Sequence, residues 1–180
     1  MPERYGTVFS LNGVTPTIAD DAFIAPTAAV IGDVVIGSET GIWFHCLVRG
    51  DMGIIRIGAR TNIQDATVIH IDSGGFDTHI GDDVTVGHNA VIHACTLKNR
   101  AFVGISATVM DGAVIEEGGM LAAGALLTPG KIIGPNEMWT GSPAKLRRVM
   151  DAEERARFDR NAVVYRDLAK RFLAGLKVVS

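Results

Sequence analysis

Aliphatic residues recur every six positions along most of this chain, and this period constrains the fold more than any other feature of the sequence. The steps after Val48, Ile69 and Ile92 are nine, eleven and five residues instead. A period of six matches neither a helix nor the alternation of a hairpin. The repeated positions, all Val, Ile or Leu except the last, are Ile24, Val30, Ile36, Ile42, Val48, Ile57, Ile63, Ile69, Ile80, Val86, Ile92, Leu97, Val103, Val109, Ile115, Leu121, Leu127, Ile133 and Trp139.

Such a period is typical of short flat strands joined by tight corners, with three hexads to each coil of a triangular prism. We therefore predict an all-β fold, a parallel β-helix of hexapeptide repeats with about six coils stacked about 4.8 Å apart. The nineteen repeated side chains are expected inside. Glycine often follows them, as at Gly37, Gly58 and Gly81, and it suits a crowded corner. Residues 1–144 are predicted to form this prism with an N-terminal lead-in.

The period changes after Pro143 to steps of three and four residues, which predicts an amphipathic helix. Asp151, three residues before Glu154, is a candidate cap for its start. We expect residues 145–180 to form a C-terminal helix that packs on the prism within a single domain. Its apolar stripe consists of Phe158, Ala162, Tyr165, Ala169, Phe172 and Leu176.

Composition excludes several classes of protein. A hydrophobic fraction of 47% is too high for a disordered chain, and charged residues interrupt every apolar run before it reaches the roughly 18 residues of a membrane-spanning helix. Cys46 and Cys95 are too few for a disulfide framework, and the sequence begins without a secretory signal, so we expect a cytoplasmic protein. Residues 145–177 carry ten basic against five acidic residues, but the charges alternate, so neither nucleic acid nor membrane is an expected partner.

Three of the five histidines form a pattern under the hexad register. If the eleven-residue step contains one hexad and a loop at Ser73–Gly75, His70 and His93 stack on the same face of neighbouring coils. Two imidazoles there can share one metal ion, because zinc to nitrogen distances are about 2.0 to 2.1 Å. Arg49 occupies the same column one coil earlier.

His88 lies on the preceding face and cannot easily reach the other two rings within one prism. A second chain, related by a threefold axis, can bring His88 to the His70 and His93 pair. Asp65 shares the column of His88, with Gln64 beside it. Two further histidines, His45 and His79, fall outside the cluster, and His79 ends the loop.

These residues make the chain resemble the gamma-class carbonic anhydrases, and most closely their bacterial relatives of similar length. The resemblance runs from about residue 10 to the end of the chain. The motifs that carry it are Arg49-Gly50-Asp51, Ile57-Gly58, Thr61-Asn62-Ile63-Gln64-Asp65, His70, Val86-Gly87-His88 to His93, and Gly141-Ser142-Pro143-Ala144-Lys145.

The resemblance implies a left-handed β-helix that forms a homotrimer, with a metal ion in each interface. Zn²⁺ is expected, with Fe²⁺ or Co²⁺ as alternatives, ligated by His70 and His93 of one chain and His88 of another. Such a site hydrates CO2 reversibly to bicarbonate through zinc-bound hydroxide.

The resemblance also implies roles for other residues. Gln64 positions the attacking water and Asn62 supports the same pocket. Arg49, Asp51 and Asp65 tie the subunits together beside the metal, although an interface network without a catalytic role is an equal alternative for the two carboxylates.

Two positions put the activity level in question. The most active members carry glutamate where this chain has Met52, so proton transfer is expected to be slow and the activity weak. Tyr165 matches a tyrosine that reaches the pocket in relatives, but its place in the apolar stripe also suits core packing.

Other functions remain open on the same fold. A metal-dependent thioester hydrolase would use the same nucleophile, and a CoA-dependent acyltransferase would use one histidine as a base without a metal. A non-catalytic assembly protein would keep the metal only to lock its trimer.

Overall fold

The computed structural model describes residues 6–73, 75–177 and 179. Within these residues the chain is almost entirely short strands followed by one helix, α1 (Ala152–Gly175). The strands are β1 (Thr7–Phe9), β2 (Thr17–Ile18), β3 (Phe23–Ile24), β4 (Ala29–Ile36), β5 (Gly41–Ile42), β6 (Leu47–Ile57), β7 (Asn62–Ile63), β8 (Val68–His70), β9 (Thr78–Ile80), β10 (Thr85–Val86), β11 (Val91–His93), β12 (Thr96–Leu97), β13 (Phe102–Val103), β14 (Thr108–Val109), β15 (Val114–Ile115), β16 (Met120–Leu121), β17 (Leu126–Leu127), β18 (Ile132–Ile133), β19 (Glu137–Thr140) and β20 (Lys145–Val149).

The strands stack as the coils of a parallel solenoid, which confirms the β-helix predicted from the hexads. One face follows the order β3, β5, β7, β10, β13, β16, β19. The other two faces are joined into a single sheet because β4 and β6 are long enough to continue from one face to the next. One face of that sheet continues through β8, β11, β14 and β17, and the other through β9, β12, β15 and β18.

The core consists of three internal columns that follow the predicted register. In one column Ile69 pairs with Val48 on one side and with Ile92 on the other. Eighteen of the nineteen predicted positions are at most 3% exposed. The exception is Trp139, which is partly buried because it stands in the last coil, and its Nε1 donates to Oε2 of Glu137 at 2.8 Å.

Glycines stack where the backbones of successive coils meet. A Cβ atom at Gly37 would lie 2.7 Å from the carbonyl carbon of Gly58, and one at Gly58 would lie 2.6 Å from that of Gly81. No side chain fits between these backbones. The small residue expected at the corners is therefore required by the spacing of the coils.

Two departures from the hexad period project from the prism. In β6, Gly50 pairs with Gly32 and Ile55 with Val34, so the residues between Gly50 and Ile55 bulge outward around Asp51. The second departure lies between β8 and β9, where the loop was predicted; its described residues 72, 73 and 75–77 are exposed, whereas Ile71 is fully buried.

The chain turns back after β19, and β20 pairs with it antiparallel. The segment assigned to the helix from residue 145 therefore begins with a strand, because Leu146 and Lys145 pair with the edge of β19 at Trp139 and Thr140. Helix α1 starts later, capped by Asp151, whose side chain accepts from the amide of Glu154 at 2.8 Å as predicted.

Helix α1 packs on the first coils through its predicted stripe. Ala162 and Ala169 are buried, and the ring of Phe172 lies 5.2 Å from that of Trp43 and 5.6 Å from that of Phe23. Phe158 instead contacts a cluster around three methionines. Leu176 follows the helix and is exposed, so the stripe ends before it. Among the described helical residues, no helix is long and apolar enough to span a membrane.

Candidate metal centre

The register of the prism brings His70 and His93 together. They end β8 and β11, and their Cα atoms are paired partners in the parallel ladder. Nδ1 of His70 lies 3.3 Å from Nε2 of His93, and both side chains are mostly shielded from solvent. The pairing expected from the sequence is therefore present within one chain.

Two carboxylates hold the outer nitrogens of these rings. Oδ1 of Asp51, on the bulge of β6, lies 2.9 Å from Nε2 of His70, and Arg49 forms an ion pair with the other oxygen of Asp51. Oδ1 of Asp111 lies 2.5 Å from Nδ1 of His93. Burial raises the pKa of Asp51, but hydrogen bonds from His70 and Arg49 together lower it by more. The pKa of Asp51 is therefore below its ordinary value.

The carboxylates determine which ring nitrogens face each other. An ionised carboxylate only accepts hydrogen bonds, so Nε2 of His70 and Nδ1 of His93 carry the hydrogens. In the neutral rings, the facing Nδ1 of His70 and Nε2 of His93 then both present lone pairs at 3.3 Å. Two facing acceptors repel each other unless a cation or a proton lies at the pair, so this donor set fits a divalent metal ion.

His88 lies on the neighbouring face, in the corner after β10. Its Nδ1 is 3.0 Å from Oδ2 of Asp65, and its Nε2 is 3.3 Å from the hydroxyl of Tyr165 on α1. The carboxylate of Asp65 accepts from Nδ1, so Nε2 accepts from Tyr165. The ring is 40% exposed and its second nitrogen points away from Asp65.

The three histidines are not gathered into one site within a single chain. Among the residues that the structure describes, no group of three His, Cys, Asp or Glu side chains converges as metal ligands. Each of the three rings nevertheless has one nitrogen on a carboxylate, the usual support for a metal-ligating histidine.

Gln64 and Asn62 form a buried polar pair beside this region. Nε2 of Gln64 donates to Oδ1 of Asn62 at 3.1 Å, and Nδ2 of Asn62 donates to Oγ1 of Thr85 at 2.9 Å. Both side chains are at most 4% exposed. These bonds fix the orientation of both amides.

Tyr165 packs in the core and also contacts His88. Its ring packs against the core, 5.3 Å from the ring of Trp43, while its hydroxyl reaches His88. Burial and then the charge of Asp65 raise its pKa, so the phenol stays protonated as a donor.

The remaining candidates lie at the rim or outside the cluster. Met52 is 56% exposed next to Asp51 on the bulge. His45 is exposed at a corner with a left-handed backbone (φ 61°), and His79 is exposed in register with Arg56 on another face. In the described part of the chain, neither has a side-chain hydrogen bond or ion pair with His70, His88 or His93.

Sequence reasoning missed Asp111. It follows the buried Val109 by two residues, as His88 follows Val86, and the hexad pattern does not show that a corner side chain reaches a histidine in the neighbouring coil. Because Ile92 pairs with Val109, Met110 lies beside His93 in the next coil and Asp111 comes directly after it. A search for carboxylates one coil beyond each histidine would therefore have found Asp111.

Several known proteins are similar to this chain over most of its length. No family model matches the chain. It is 43% identical over 172 residues to the mitochondrial gamma carbonic anhydrase 2 of Arabidopsis thaliana, a match that covers 93% of this chain and 62% of that relative. It is also 46% identical over 147 residues to a carbonic anhydrase of Geobacillus kaustophilus, covering 82% of this chain and 80% of that one.

A solved structure is equally similar. A hexapeptide transferase family protein from Anaplasma phagocytophilum superposes with a TM-score of 0.88 at 48% identity, over 92% of this chain and 98% of that one. The chain spans about 62% of the length of the plant relative but most of the length of the Geobacillus enzyme and of the Anaplasma protein. Identity at this level over so much of both chains shows that the chain belongs to the gamma carbonic anhydrase family.

Proposed function

We propose that the chain is a homotrimeric, metal-dependent carbonic anhydrase that converts CO2 reversibly to bicarbonate. The observation that carries the proposal is that Nδ1 of His70 lies 3.3 Å from Nε2 of His93 while the other nitrogen of each ring lies on a carboxylate. His88 of a neighbouring chain is proposed as the third ligand through its Nε2, which would exchange the hydrogen bond from Tyr165 for the metal. Zn²⁺ suits three imidazole nitrogens, and Fe²⁺ or Co²⁺ suits them as well.

When bound by these histidines, a divalent ion would supply hydroxide near neutral pH, because it would lower the pKa of a coordinated water towards about 7. The remaining work belongs to the side chains. Gln64, whose amide nitrogen is bonded to Asn62, is left with a carbonyl oxygen that can accept a hydrogen bond from water. Asn62 fixes that orientation through Thr85.

Exposed apolar side chains beside the histidines support the proposed trimer. Val91 lies two residues before His93 on β11 and is 37% exposed, while Ile105 follows Val103 as His88 follows Val86 and is 53% exposed. An interface between two prisms would remove both side chains from water. The same interface would bring His88 of one chain towards the His70 and His93 of the next.

Charged residues beside the histidines are proposed to orient the site and to bind the product. Asp51 joins Arg49 to His70, so the arginine is held on the side of the outer nitrogen of this ring. Its positive charge favours bicarbonate as it leaves. Asp65 is proposed to orient His88 in the same way.

Proton release is proposed to limit the activity. Met52 holds an exposed position beside Asp51 and has no ionisable group. The nearby loop offers Asp72 and Asp77, but the Asp77 carboxylate already accepts from the amide of Ile54 at 3.0 Å. Buffer is therefore expected to carry part of the proton flux.

The cytoplasm remains the proposed location. Cys46 and Cys95 are both free and buried, which suits a reducing compartment. The relatives from Arabidopsis thaliana are named as mitochondrial, so this part of the proposal requires its own test by cell fractionation.

The decisive experiment is CO2 hydration measured by stopped flow on protein loaded with Zn²⁺ and, separately, with Fe²⁺. We expect activity that His88→Ala abolishes. Activity that survives this substitution would remove the proposed metal site, and an inactive parent that holds metal would favour the assembly protein. Tightly bound metal after exhaustive dialysis would exclude the metal-free acyltransferase, and hydrolysis of acyl-CoA would identify the thioesterase.

A further inference from the structure

We propose that Asp111 is a positioning residue that fixes the tautomer of His93 and so sets the metal affinity of the site. This inference deepens the proposed function and rests on it. Asp111 belongs to none of the motifs that carry the family resemblance, and it acts through His93 without touching substrate.

The contact is short and shielded. Oδ1 of Asp111 lies 2.5 Å from Nδ1 of His93, and the two side chains are 33% and 24% exposed. Because the carboxylate can only accept, it holds the imidazole hydrogen on Nδ1 and leaves the lone pair on Nε2. Nε2 is the nitrogen that faces His70.

The backbone around Asp111 is held from both sides. The Asp111 carbonyl accepts from the amide of Gly130 at 2.9 Å in the coil above, and the amide of Gly112 donates to the carbonyl of Ala94 at 2.7 Å in the coil below. The ring of Phe76, from the loop between β8 and β9, lies over Gly112, where an added Cβ would be 3.2 Å from two ring atoms. These contacts fix the backbone of Asp111 in the coil next to His93, so its side chain starts from a defined position.

Asp111 differs from the other two carboxylates in having no competing partner. Asp51 is shared between His70 and Arg49, and Oδ1 of Asp65 also accepts from the amide of Phe44 at 3.2 Å. Within the described residues, the Asp111 side chain bonds only to His93. Its negative charge is therefore not shared with an arginine, as that of Asp51 is.

Substitution by asparagine tests this directly. The amide of Asp111→Asn is uncharged, and when its NH2 group faces Nδ1 the ring must move its hydrogen to Nε2, where no metal can bind. Loss of such a supporting carboxylate typically weakens metal binding 10 to 100-fold. We expect this loss for both Asp111→Asn and Asp111→Ala, measured as the Zn²⁺ dissociation constant by chelator competition.

The matched control is Asp159→Asn, which removes a carboxylate bonded at 2.5 Å to the buried Arg155 on α1. It should leave Zn²⁺ affinity unchanged. A parent affinity retained within about twofold by a folded Asp111→Asn would overturn the inference while leaving the metal site intact. A parent that binds no Zn²⁺ would overturn the proposed function and this inference with it.

A second measurement needs no variant and so does not depend on folding. In the unsubstituted, metal-free protein at a fixed pH of 8, the ¹⁵N chemical shifts of the His93 ring report which nitrogen is protonated. We expect a protonated Nδ1 and an unprotonated Nε2. The opposite tautomer would contradict the role assigned to Asp111.

Discussion

His70 and His93 are register partners on adjacent parallel strands, with Nδ1 of one 3.3 Å from Nε2 of the other. The residues before them, Ile69 and Ile92, are fully buried in the same internal column. A slip of one residue would turn an imidazole into the core and an isoleucine into water. Core packing therefore holds the candidate ligands together before any metal binds.

Mixing two inactive variants tests whether the site is shared between chains. His88→Ala keeps the pair, and His93→Ala keeps His88, so neither homotrimer has a complete site. Random reassembly of equal amounts should restore about one quarter of the sites, because each site draws its two contributors independently. Metal content and CO2 hydration after co-refolding measure this fraction, and recovery no greater than the separately refolded variants would count against a shared site.

Two neighbouring isoleucines on β18 allow the same substitution to be compared at a buried and at an exposed position. Ile133 is fully buried against Ile115, whereas Ile132 is 56% exposed. Ile133→Ala should lower the free energy of unfolding by about 2 to 5 kcal/mol, and Ile132→Ala by less than about 1 kcal/mol. Urea denaturation of both variants provides the comparison. Similar losses in the two would mean that the assignment of the internal column is wrong.

The two thiols should be unreactive in the folded protein. Burial desolvates the thiolate and raises the pKa of Cys46 and of Cys95 to about 12. Because the thiolate is the reactive form, a disulfide reagent at pH 8 should label both thiols only after unfolding in urea. Rapid labelling of the native protein would show that one of these side chains reaches solvent.

The lowered pKa of Asp21 predicts a contribution to the free energy of unfolding that depends on pH. The hydroxyl of Ser38, 2.7 Å away, lowers the pKa of Asp21 below 3.8. A lowered pKa in the folded state contributes stability above the unfolded pKa, and that stability disappears as the pH falls through the folded pKa. Asp21→Asn should therefore destabilise the protein at pH 7, by less than about 1 kcal/mol for an exposed group, and have little effect at pH 2.5. Urea titrations at both pH values check the sign, and a loss that grows on acidification would contradict it.

Met52 tests the proposed limit on proton release. Replacement by glutamate puts an ionisable group at an exposed position beside Asp51. Met52→Glu should raise the rate of CO2 hydration about tenfold in dilute buffer and very little in concentrated buffer. Met52→Gln has the same size without a titratable proton and should leave both rates unchanged. An equal gain in the glutamine variant would assign the effect to shape.

Much of the fold could be predicted from the sequence because the repeated aliphatic residues have one structural explanation: their side chains point into the prism. Buried aliphatic residues such as Ile63 and Val103 fix the phase of each coil, and the phase places His70 over His93. The pattern also puts His88 on a different face. It does not show that the carboxylate of Asp111, at the same hexad position as His88, reaches a histidine of the neighbouring coil, which explains why Asp111 was missed.

The strand β20 escaped prediction for a different reason. All five of its residues are exposed and three of them are basic, so the segment lacks the buried side chains by which a strand is recognised in a sequence. Its pairing depends on the free edge of β19, which exists only once the prism has formed. Trp139 is less buried than the other repeated residues for a related reason, since the coil it belongs to is the last.

The direction of β20 also has a consequence for assembly. A stack of parallel coils leaves backbone groups unpaired at its ends, and another molecule could add there to build a growing fibre. At the C-terminal end, β20 runs opposite to the stack, and its three basic residues repel an identical neighbour. The chain thus blocks strand addition at the last coil of the face that ends in β19.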